Sequence, residues 1–134
     1  MRFLIVVFCA AVCMTGAPNR GSAGAARVAF SQSLPVLDGK HLKATVVEVT
    51  YEGGGASAPH HHPCAVIGYV IEGAVRMRVN DQPEAIYKVG QSFYEAPNDA
   101  HRVSANASKT ERARFLAYFT CDHEVPLTVA GTEK

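Results

Sequence analysis

The chain has 134 residues, of which 48% are hydrophobic and 19% charged, with a formal net charge of +1. That length bounds one domain, and the apolar share argues against a disordered chain. A charge so near zero gives no reason to expect nucleic acid or an anionic surface as partner.

Arg2 opens the sequence with a basic charge, and Phe3 to Met14 is almost wholly apolar. Thr15-Gly16-Ala17 then supplies small residues at a cleavage position. The pattern predicts a signal peptide over residues 1–17 and export to the periplasm or the medium. The apolar run is shorter than the about 20 residues a membrane span needs. An uncleaved N-terminal anchor is the alternative; with cleavage, the mature chain is not an integral membrane protein. Cys9 and Cys13 fall inside this leader, leaving Cys64 and Cys121. In an oxidising compartment these two could pair; two buried free thiols fit equally well.

Residues 18–37 read as an N-terminal arm. Asn19 to Ala26 is rich in Gly, Ser and Ala, and Val28 to Leu37, broken by Pro35, reads as an edge strand or an extended arm. After the Asp38-Gly39 turn, strand follows strand. Leu42–Tyr51 is rich in β-branched residues. Val66–Ile71, Ala74–Val79, a weaker Glu84–Lys88, Ser92–Glu95, His101–Ala105 and Ala113–Thr120 follow, separated by turn signals. No segment after residue 17 sustains a helical period. The expected fold is all-β, an antiparallel sandwich or barrel over residues 38–121, with an aperiodic tail at 122–134.

Pro59-His60-His61-His62-Pro63 is where metal-capable side chains crowd together. Side chains two apart on a strand share a face, so His60 and His62 could present two imidazoles to one cation. A His-rich run can also be a surface loop that binds metal adventitiously. A third ligand must come from elsewhere, and His101 is the best candidate.

The order of residues around these histidines is more specific. Gly54, five residues, His60-His61-His62, three residues, Val66, six residues, Gly73 resembles the first motif of the cupin superfamily. Gly90, five residues, Ala96-Pro97-Asn98, two residues, His101 resembles the second. The resemblance runs from about Leu42 to Phe119. It implies a small single-domain jelly-roll β-barrel holding a divalent metal, here through His60, His62 and His101. The sequence departs from the motifs at several places. Val66 stands where the family carries a glutamate, which predicts a neutral site without carboxylate charge. Pro97 is one place late, and Asn98 replaces a turn glycine, a change that the ease with which Asn enters left-handed backbone tolerates. An asparagine expected at 105 appears at Asn106 instead.

Three imidazoles leave coordination positions open for water and substrate. The resemblance therefore implies either an iron-dependent dioxygenase-like enzyme acting on a small organic substrate or a non-catalytic small-molecule or metal-binding module. Fe suits the first, and Mn, Zn, Ni or Cu are the other candidate ions. No catalytic base is named by the sequence. Around the metal, His61 is expected on the opposite strand face, and Val66, Met77 and Phe93 are expected to shape the pocket. By alternation His101 and Val103 should share a face. Glu95 could accept a hydrogen bond from a ligand histidine and so orient it. The Val28–Leu37 arm could mediate a homodimer.

Overall fold

The computed structural model describes residues 26–131. The expected leader, and the start of the arm to residue 25, lie outside them. Among the described residues ten strands run β1 Lys43–Tyr51, β2 Ala56–Ser57, β3 His60–His61, β4 Ala65–Glu72, β5 Ala74–Val79, β6 Ala85–Lys88, β7 Ser92–Glu95, β8 Ala100–Asn106, β9 Ala113–Cys121 and β10 Val129–Ala130. All pairings are antiparallel. One sheet has the order β1-β9-β4-β7; the other runs β10-β3-β8-β5-β6, with β2 also on β8. This is the expected all-β jelly roll in a single domain. Among the described residues no helix is long and apolar enough to cross a membrane. Among the described residues no strand precedes β1, and Val28 and Val36 are exposed.

Alternation along the strands builds the interior. On β9, Ala113, Phe115, Ala117, Phe119 and Cys121 point inward, and on β4 Val66, Gly68 and Val70 do. Phe93 on β7 sits directly opposite Gly68, and its ring occupies the space a side chain there would need. A Cβ on Gly68 would lie 2.1 Å from Phe93 Cζ. Glycine at 68 is therefore what lets the aromatic core close between β4 and β7, where Phe93 packs against Tyr87 and Phe115.

Two features differ from the sequence reading. The tail folds back: β10 pairs with β3, and Leu127 packs against the core. Strand β8 carries a bulge. Arg78 pairs with Val103 but Val79 pairs with His101, so Arg102 is an extra residue and the phase of β8 flips. Val103 accordingly does not share the inward face of His101; Ser104 does.

Cys64 and Cys121 form a disulfide with Cα atoms 5.0 Å apart. It ties the segment after β3 to the end of β9.

Candidate metal centre

Prolines 59 and 63 hold the histidine run extended, and Asn98 N–H donates to His62 O at 2.7 Å. Asn98 takes a left-handed φ of 63°, the tolerance expected of Asn at this turn. Asp99 secures the turn through Ala96 N–H and the Asn80 amide, and Asn80 Oδ1 in turn accepts from Ala100 N–H. The next residue is His101, placed directly opposite His60 in the β3–β8 ladder.

His60, His62 and His101 are all buried, and one ring nitrogen from each lies within 4.8 Å of the others. Local hydrogen bonds fix which nitrogen. His60 Nδ1–H donates to Ala58 O at 2.7 Å, and His62 Nδ1–H to Leu127 O at 2.6 Å. Both therefore turn an Nε2 lone pair toward the cluster. His101 Nε2 faces Met77 Sδ at 3.3 Å. Sulfur can only accept, so His101 carries its proton on Nε2 and offers Nδ1. Burial holds His62 below its ordinary 6.5, against the pull of the Glu95 carboxylate, and so keeps a neutral ligand at neutral pH. Phe119 closes one side, edge-on to His62 with centroids 5.1 Å apart.

The cluster is not free of carboxylate, contrary to the expectation drawn from Val66. Val66 and Glu95 are cross-strand partners on β4 and β7, so their side chains share the inward face. Glu95 is 2% exposed, and its Oε2 lies 3.0 Å from His101 Nδ1 and 3.6 Å from His62 Nε2. Yet Glu95 Oε2 and His101 Nδ1 have no hydrogen-bond partner among the described residues. The two atoms are close, but their directions do not make a hydrogen bond. Two buried acceptors facing each other without a partner is a costly arrangement. A cation between them resolves it, so the donor set fits a divalent metal.

The histidines open into a cavity of about 660 Å³. Val47, Val49, Phe115, Ala117 and Phe119 give it apolar walls, with Val66 and Glu95 beside the histidines. Met77 and Phe93 do not line it: Met77 stands behind His101, and Phe93 fills the core over Gly68. His61 points to the other face, its Nδ1 3.1 Å from Gly131 O. Sequence reasoning missed the tail and the two serines. Leu127, Thr128 and Ala130 of the tail line the cavity. Tyr51, which the sequence offers with Tyr69, Tyr94 and Tyr118 as a source of a hydroxyl, joins Ser57 Oγ at 2.6 Å and Ser104 Oγ at 2.8 Å through its Oη, a hydroxyl cluster on the cavity wall. Ser104 escaped notice because the bulge reverses its expected direction.

A family model described as "Cupin domain" matches residues 47–119. The chain belongs to the cupin family. Solved structures similar to this cupin include an oxalate oxidase in complex with the substrate analogue glycolate, at 22% identity and a TM-score of 0.55, covering 64% of this chain and 45% of that one. A cupin-like protein from Thermotoga maritima is 26% identical with a TM-score of 0.55, covering 62% of this chain and 61% of that one. An oxalate decarboxylase is 26% identical with a TM-score of 0.53, covering 68% of this chain and 24% of that one. The cupin thus spans less than half the length of the two oxalate enzymes. No curated protein sequence matches it.

Proposed function

We propose that this cupin is an exported protein that holds a divalent metal through His60, His62 and His101 and presents it to a small organic molecule in the cavity. The observation that carries the reading is the set of three buried imidazoles, one ring nitrogen of each within 4.8 Å of the others, each ring held by a hydrogen bond from its other nitrogen. Bound there, Fe(II) would supply redox and Lewis-acid chemistry. The protein's own part is to hold neutral ligands, exclude water with Phe119 and the valine wall, and offer the Tyr51–Ser57–Ser104 hydroxyls to a polar group of the ligand. An apolar cavity with few polar groups suits a small molecule whose polar end points to the metal.

Export is supported by the apolar stretch Phe3–Met14 and by the Cys64–Cys121 disulfide, a bond favoured in oxidising compartments. Exposed Val28 and Val36 on the unpaired arm support a homodimer in which the arm is covered by a second copy.

A dioxygenase-like enzyme on a dicarbonyl, phenolic or thiol substrate is the enzymatic form of this reading. Oxygen uptake after anaerobic Fe(II) loading, with those three substrate classes, tests it. Substrate-dependent uptake is expected. A protein that binds Fe(II) and takes up no oxygen with any of them leaves the second reading, a non-catalytic binding module. That reading has its own support: among the described residues Glu95 is the one carboxylate lining the cavity, and it faces the histidines rather than open space.

A further inference from the structure

We infer that Glu95 is itself a ligand of the metal, a carboxylate supplied from β7 in place of the one that Val66 removes from β4. The inference rests on the three-histidine reading above. Register is its first support. Val66 and Glu95 are directly opposed partners, so a carboxylate at 95 enters the cavity from the neighbouring strand on the face that a carboxylate at 66 would use. Phe119, Val66 and Glu95 form one row across β9, β4 and β7, and the row faces the histidines of the other sheet.

Orphaned atoms are the second support. A glutamate that merely oriented His101 would accept a hydrogen bond from it. Instead His101 gives its N–H to Met77 Sδ, and Nδ1 and Glu95 Oε2 face each other 3.0 Å apart as two lone-pair donors with no partner among the described residues. Glu95 Oε2 also stands 3.6 Å from His62 Nε2. Among the described residues no Lys or Arg lines the cavity beside this carboxylate. A divalent cation shared with the imidazoles supplies the partner that this buried carboxylate oxygen lacks. The ligand set becomes three histidines and one carboxylate, which lowers the net charge of the loaded site by one and favours hard divalent ions such as Mn(II) and Fe(II).

The test compares Mn(II) affinity and the electronic absorption of bound Co(II) in the purified protein, in Glu95→Gln, in His60→Ala, and in the exchanged pair Val66→Glu with Glu95→Val. Losing an outer hydrogen-bond partner of a metal ligand costs about 10–100-fold in affinity. Glu95→Gln is expected to lose more than that for Mn(II), and to shift the Co(II) spectrum because a charged carboxylate oxygen is replaced by a neutral, weaker amide oxygen. The exchanged pair is expected to return Mn(II) affinity to within about tenfold of the parent. A Glu95→Gln protein whose bound Co(II) keeps the parent spectrum overturns the assignment, whatever its affinity. If Glu95→Gln does not fold, the exchanged pair decides: restored Mn(II) binding supports the inference, and absent binding overturns it. His60→Ala separates the two levels. Should it bind Mn(II) and Co(II) as the parent does, the three-histidine reading falls and Glu95 with it. Should it lose both ions while Glu95→Gln leaves the Co(II) spectrum unchanged, only the role of Glu95 falls.

Discussion

His60 and His101 stand directly opposite each other on β3 and β8, with ring centroids 4.9 Å apart. They come from positions 41 residues apart in sequence, yet the ladder gives them one geometry. The metal position is therefore as rigid as the sheet that carries it. Either histidine replaced by alanine should reduce divalent-metal retention to background, since two imidazoles no longer surround the ion. The strand signal in circular dichroism should persist, because backbone ladders hold the strands and no histidine belongs to the apolar core cluster. Elemental analysis after gel filtration checks the first outcome. Metal content equal to the parent's in His101→Ala would exclude this residue as a ligand.

The Cys64–Cys121 bond closes a loop with a sequence separation of 57. Chain-entropy arguments give such a cross-link about 4 kcal/mol, with native-state strain and residual denatured structure reducing it. Replacing both cysteines by serine should lower the urea midpoint accordingly. Cys64 lies two residues after His62, so Mn(II) affinity should fall as well. An unchanged midpoint would mean the bond contributes nothing to stability.

Asn106 is the fastener of the other end of the barrel. Its buried Nδ2 lies 2.7 Å from Glu111 O, 3.0 Å from Glu52 O and 3.2 Å from Tyr51 O, while Oδ1 accepts from Ser108 N–H at 2.8 Å. Alanine there orphans several backbone groups at once. A loss of about 2–3 kcal/mol is expected from equilibrium unfolding. A loss under about 0.5 kcal/mol, the range of ordinary surface changes, would show that water replaces the amide without penalty.

Glu72 sets an acid dependence. Arg112 first, and Arg114 beside it, hold its carboxyl below the ordinary 4.5. A depressed carboxylate adds stability above the unfolded value, and that stability disappears as pH falls through the folded value. Glu72→Gln should therefore melt slightly lower than the parent at neutral pH, and the two melting curves should converge well below pH 4.5. The group is partly exposed, so added salt should shrink the difference too. A gap that stays constant into strong acid would assign the effect to packing rather than charge.

Much of the fold was written in the chain's local patterns. β-Branched alternation and turn signals marked β1, β5, β7 and β9 to within a residue or so, and Asn98 fitted the left-handed turn it occupies. The spacing from Gly54 to Gly73 and from Gly90 to His101 selected the family and nominated three histidines that prove to converge. Such signals are legible because strand period, turn chemistry and motif spacing are properties of consecutive residues. Only the tertiary structure decided the rest. Glu95 meets His101 because β7 pairs with β4 in one register, and a register is a relation between segments distant in sequence. Ser104 faces inward because one unpaired residue, Arg102, reverses the phase of β8. The aperiodic tail reaches the cavity because β3 leaves an edge for Val129 and Ala130 to pair with, and Cys64 finds Cys121 because two strand ends meet in space.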